Sequence, residues 1–144
     1  MLEKNSKIFI AGHNGMVGSS CWRLFNKKGF SNLIGKSRNE LDLTNQNDVR
    51  NFFLKEKPNV VIDAAAKVGG IWANNEFPYK FLLYNMQIQN NLLSSAIQFK
   101  VDKFIFLGSS CIYPKLAKQP IKEEYLLSDS LEKSNQWYAI AKIA

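Results

Sequence analysis

The chain has 144 residues, 46% hydrophobic and 12% aromatic, enough for one packed domain and too apolar for a disordered one. Its net charge of +7 comes from scattered lysines (Lys27, Lys28, Lys55, Lys57, Lys100, Lys103) without interleaved aromatics, which argues against nucleic acid and for a solvated surface with some affinity for small anions. Two distant cysteines and one histidine support neither a disulfide framework nor a metal site. No apolar run reaches the roughly 18 residues of a membrane span, and "MLEKNSKIFIAG" does not read as a secretory signal, so a cytoplasmic location is expected.

The chain opens with "KIFIAG", a short strand ending in glycine. "GMVGSSCWRLFNKKGF" follows as a helix, with Val17, Cys21, Leu24 and Phe25 at helical spacing. "NLIGKS" predicts a second strand near residues 32 to 37. "DVRNFFLKEK" reads as a helix stopped before Pro58, and "NVVIDAAA" as a strand buried on both faces. "KVGGIWANNEFP" is expected to be a loop. The helix that follows, "YKFLLYNMQIQNNLLSSAIQFK", carries Phe81, Tyr84, Ile88, Leu92 and Ile97, an apolar face wide enough to pack on more than one surface. "VDKFIFLGSS" is a fourth strand, residues 111 to 136 are mostly connection, and "QWYAIAKIA" begins a helix. Strands alternating with helices predict an α/β, Rossmann-type doubly wound parallel sheet, with the four strands in the order 3-2-1-4. The expectation is a NAD(P)-binding Rossmann domain over 1–144, incomplete at its C-terminus, with the substrate-binding part absent.

Gly12, Gly15 and Gly18 form G-x-x-G-x-x-G between the first strand and first helix. Such a turn lets backbone approach a pyrophosphate and aims a helix N-terminus at it, so Gly12, His13, Asn14, Gly15, Met16, Val17 and Gly18 are candidate cofactor contacts. The second strand runs into Lys36, Ser37 and Arg38 with no acid until Glu40, which favours the 2′-phosphate of NADP over the free ribose of NAD. The alternative for Lys36, and less so for Arg38, is a solvated basic turn. Asp42 is a candidate adenine contact or a turn residue preceding a helix.

Ser109 closes the fourth strand, at the carboxyl edge where parallel sheets bind ligands, with Leu107, Gly108 and Ser110 beside it as further cofactor candidates. Tyr138 and Lys142 are four apart on one helix face. An ammonium that brought a tyrosine from its ordinary pKa of about 10 to neutrality would supply about 4 kcal/mol of preference for the phenolate. Such a tyrosine can exchange a proton with a carbonyl. Cys21, on the apolar face of the first helix, reads as packing. Cys111 follows a strand end, where a modest downward shift would let its thiol act as a base.

The glycine turn, a strand-end serine and Y-x-x-x-K, together with "IAGHNGMVGS", "AAAKVGGIWANN", "FLGSSCIYPKLAKQP" and "YAIAKIA", resemble the extended short-chain dehydrogenase/reductase family. Within it, the likeness is to members that epimerise C3 and C5 and reduce C4 of GDP-4-keto-6-deoxy-mannose with NADPH. What the resemblance implies is a nucleotide-sugar substrate, a homodimer and four catalytic residues. Ser109 would polarise the C4 carbonyl, Tyr138 would protonate it, and Lys142 would hold the nicotinamide ribose and depress the tyrosine pKa. Cys111 would be the epimerisation acid/base, its histidine partner lying further along than residue 144, so that His13 is not that partner. Asn14 stands where such proteins commonly have a basic residue, leaving Arg38 as the main candidate for the 2′-phosphate. A nucleotide-sugar 4-epimerase or 4,6-dehydratase, or a non-enzymatic NADP-binding fragment, are the rival readings. Dehydratases tend to have acidic residues where this chain has Cys111 and Ile112.

Overall fold

A computed structural model describes residues 2–144. In chain order the elements are β1 (Ile8–Ala11), α1 (Met16–Lys27), β2 (Leu33–Ile34), α2 (Gln46–Glu56), β3 (Val60–Asp63), α3 (Ile71–Glu76), α4 (Pro78–Gln98), β4 (Lys103–Phe106) and α5 (Gln136–Ile143). Single 3₁₀ turns occupy Ser110–Ile112, Glu123–Tyr125 and Lys133–Asn135. The chain forms two compact units, the first holding the stretch up to Ala66 with Gln87–Leu107, the second Lys67–Met86 with Gly108–Ala144.

In the first unit all four strands are parallel, ordered β2-β1-β3-β4. The expected order 3-2-1-4 is therefore wrong: β3 lies against β1, not outside β2. The reason is burial. Every residue of β3 is buried, and it pairs over four residues with β1, from Ile8 opposite Val60 to Ala11 opposite Asp63, whereas β2 offers only two pairs. A strand that is apolar on both faces gains most between two partners, and the short β2 can cover only an edge.

Alternation along the strands sorts the core into two layers. Phe9, Ala11 and Val61 meet Val49, Phe52 and Phe53 of α2 and Leu92 and Ala96 of α4, while Ile8, Ile10, Val60 and Ile62 meet α1 on the opposite face. Phe9 and Phe52 pack with ring centroids 4.5 Å apart. On α1 the covered stripe is Gly18, Cys21, Trp22 and Phe25; Val17 and Leu24, expected on it, are exposed. Helical spacing admits either neighbouring stripe, and the close seat at Gly18 selects the one through Cys21. The packing role expected for Cys21 is the one it has.

α2 begins where the Asn45 side chain accepts from the backbone N–H groups of Asn47 and Asp48, at 3.0 and 3.3 Å. It ends at Lys57, in the left-handed region at φ 48°, before Pro58. On α4, Phe81 and Leu92 are buried, but Ile97 is 77% exposed and Ala96 takes the core place. The expected loop after β3 holds a short helix, α3, which follows two glycines and lacks the length for periodicity to reveal it.

Candidate active site

In the first unit β1 turns into α1 through Gly12, which sits at φ +77° with the Ala64 carbonyl oxygen 2.8 Å from where a Cβ would stand. Only glycine meets both conditions. Gly15 donates its N–H to the Gly12 carbonyl at 2.9 Å. A Cβ on Gly18 would fall 2.2 Å from that same carbonyl oxygen and 2.8 Å from His13 Cα, so the absent side chain seats the helix against the turn. α1 starts after Gly15 with no side-chain cap. Its first N–H groups and the positive end of its dipole can therefore take an anion. Met16 is strongly exposed and Val17 half-exposed on this first turn. His13 lies against Trp22, centroids 5.5 Å apart, its buried Nδ1 without a hydrogen-bond partner. With Asn14, Ser19 and Arg23 these two residues line a pocket of about 200 Å³.

The basic turn after β2 is more committed than its sequence suggests. Glu40 folds back, its carboxylate accepting from the Ser37 N–H at 2.8 Å and hydroxyl at 2.7 Å and pairing with Lys36 at 3.4 Å. These contacts hold its carboxyl at about 2. Lys36 is thus paired within its own turn, while Arg38 is exposed beside it. Asp42 accepts from the Thr44 N–H at 3.0 Å and hydroxyl at 2.8 Å, which with the Arg38 charge lowers its pKa. Its side chain serves the turn before α2, one of the two roles open to it from sequence.

In the second unit Ser109 lies beyond the strand expected to contain it, since β4 ends at Phe106 and Leu107 and Gly108 intervene. Serine is a better cap than strand residue, and its Oγ accepts from the Cys111 N–H at 3.2 Å, opening the turn Ser110–Ile112. α5 packs on that turn. Tyr138 there is hydrogen-bonded with Ser109 and feels the charge of Cys111. Ser109, Cys111 and Tyr138 are thus gathered in one place, and Lys142, one helical turn beyond Tyr138, is buried.

Tyr138 departs from expectation in one respect. Its pKa is raised above 10, first by burial and then by Cys111, with the Ser109 hydrogen bond pulling the other way. A half-buried phenol beside a sulfur that can carry negative charge keeps its proton. At neutral pH it is a proton donor.

Asn135 was missed by the sequence reading. It precedes α5 and donates from Nδ2 to Cys111 Sγ at 3.1 Å across 24 residues. Its place three residues before Tyr138 reads as an ordinary helix start, so nothing local distinguishes it.

A parallel sheet whose first strand passes through three close-packed glycines into an uncapped helix defines a Rossmann-type nucleotide-binding protein. In the second unit a serine, a cysteine and a tyrosine, side chains able to hold or move a proton, come together. Over residues 8–144 the chain matches the NAD dependent epimerase/dehydratase family, and it belongs to that family. It is 58% identical over its whole length to GDP-L-fucose synthase 1 of Arabidopsis thaliana, covering 45% of that protein. It is 51% identical over 96% of its length to GDP-L-fucose synthase of Escherichia coli (strain K12), covering 43% of it. Among solved structures, a GDP-D-glycero-L-gluco-heptose synthase from Campylobacter jejuni, in the presence of NADPH, superimposes with a TM-score of 0.96 at 42% identity, over 99% of this chain and 42% of that one. The chain thus spans less than half the length of the relatives it matches.

Proposed function

We propose that this chain is the NADP-binding Rossmann part of an enzyme that epimerises C3 and C5 of GDP-4-keto-6-deoxy-mannose and reduces C4, yielding GDP-L-fucose. The observation that carries the reading is the meeting of Ser109, Cys111 and Tyr138, because reduction alone does not call for a thiol. The identities to GDP-L-fucose synthases support the substrate class.

The glycine turn fits a dinucleotide: Cβ atoms at Gly12 and Gly18 would close the space against backbone, and the uncapped start of α1 suits a pyrophosphate. Gly12, His13, Asn14, Gly15, Met16, Val17 and Gly18 would hold it there, with Arg38 at the 2′-phosphate. When bound, NADPH supplies the hydride for C4. Cys111 as thiolate removes a proton from the carbon beside the ketone, where the carbonyl acidifies it, and a second acid delivering a proton to the opposite face completes the inversion. The Ser109 hydroxyl donates to the C4 oxygen. Tyr138, neutral and protonated, gives its proton to that oxygen as it becomes an alcohol. Lys142 holds the nicotinamide ribose.

A homodimer and a cytoplasmic location belong to the same reading. Leu93 and Ile97, one turn apart on α4 and 38% and 77% exposed, support an apolar contact between copies. In a chain of the relatives' full length, Cys111→Ser is expected to abolish deuterium exchange at C3 and C5. Exchange and hydride transfer both continuing at wild-type rates would remove Cys111 from the mechanism.

A further inference from the structure

At the residue before a helix, an asparagine ordinarily turns Oδ1 toward the N–H groups of the first turn. Asn135 occupies that place before α5 and makes no such cap. Its Oδ1 is buried without a partner, while Nδ2 donates to Cys111 Sγ at 3.1 Å. The side chain thus forgoes a helix cap and leaves an acceptor unsatisfied in order to face a sulfur, a weak acceptor that returns little stability.

The aim is built from several directions. Asn135 donates its backbone N–H to the Glu132 carbonyl at 3.2 Å. The Glu132 carboxylate accepts from the Ser134 N–H at 3.2 Å and pairs with Lys115 at 2.7 Å. On the other side, Ser109 Oγ accepts from the Cys111 N–H at 3.2 Å. Both partners are therefore anchored independently of the contact they share.

We infer that Asn135 is a positioning residue for Cys111, its amide N–H fixing the direction of the sulfur lone pair that takes the substrate proton. This rests on the acid/base role proposed for Cys111. An N–H aimed at sulfur stabilises the charged form more than the neutral one.

The test uses Asn135→Asp, which keeps size and shape while replacing the donor with an acceptor. In a Cys21→Ser background, so that one thiol reports, iodoacetamide alkylation of Cys111 at neutral pH is expected to slow at least about fivefold, the factor corresponding to one ordinary hydrogen bond. An unchanged or faster rate overturns the inference. If Asn135→Asp melts early, Asn135→Ala carries the test through a second readout. In a chain of the relatives' full length, C3 and C5 exchange is expected to fall relative to C4 reduction, and an unchanged ratio overturns the inference. Failure of the site reading looks different: exchange would then survive Cys111→Ser itself.

Discussion

The two compact units use their side chains differently. In the first, Phe9, Val49, Phe53, Val61 and Leu92 are fully buried and form a continuous apolar layer, with only a few polar side chains such as Asp63 and Gln89 buried beside them. In the second, Val68, Ile71, Trp72, Tyr79, Leu116 and Leu127 are exposed, and order comes from polar clamps. Asn85 takes both the N–H and C=O of Lys67, at 2.8 and 3.0 Å; Asn74 donates to the carbonyls of Gly69 and Gly70; Lys115 pairs with Glu132. The cofactor-type turn thus stands on a close-packed scaffold, whereas the side chains proposed to carry acid/base chemistry stand where hydrogen bonds join Ser109, Cys111 and Asn135. Burial gives stability without direction; hydrogen bonds give direction at modest net stability, and acid/base groups need direction.

The largest expected effect is at the heart of the first unit. Phe53→Ala should cost ~3–5 kcal/mol in chemical denaturation, with faster hydrogen exchange in β1 and β3. A loss under about 1 kcal/mol would break the contrast. Asn85→Ala should cost ~1–3 kcal/mol by leaving the Lys67 backbone groups unpaired, and the exchange it quickens should centre on Lys67 and α3, not on the sheet. Gly18→Ala tests the scaffold at its narrowest point. Pushing α1 from the turn should cost ~1–3 kcal/mol and weaken NADPH binding at least about tenfold by fluorescence titration. Tight binding by a variant that folds normally would show that the close seat is dispensable.

The smallest effect is a pH dependence confined to the second unit. The Tyr138 pKa is raised on folding, so the folded chain holds this proton more tightly than the unfolded chain. The stabilisation is complete below the ordinary tyrosine value of 10 and is lost as pH rises through the higher folded value. Phenolate absorbance should therefore show one tyrosine titrating above 10, removed by Tyr138→Phe and shifted downward by Cys111→Ser, which deletes a charge that opposes it. No downward shift in Cys111→Ser would mean that the two groups do not communicate.

Much of this was legible in the chain itself where the determining contacts are local. Three glycines at fixed spacing specify a turn whatever surrounds it, because left-handed backbone and missing Cβ atoms are properties of those residues. Unbroken apolar runs specify buried strands, and Pro58 stops a helix through its nearest neighbours. The Rossmann-type sheet was likewise legible, and the order of types Ser109, Cys111, Tyr138 and Lys142 led to the acid/base role proposed for them. What tertiary structure alone decided is everything that depends on partners distant in sequence. β3 lies beside β1 because four-residue pairing and burial on both faces outweigh chain order. α1 turns Trp22 rather than Leu24 inward, with Gly18 seating the helix close against the turn. Tyr138 keeps its proton because burial and a sulfur 27 positions earlier outweigh what a lysine one turn away suggested. Asn135 faces that sulfur across 24 residues, a choice of direction that its own neighbours do not make. Local sequence sets backbone conformation through short-range sterics, whereas burial and electrostatic surroundings exist only once distant segments have met.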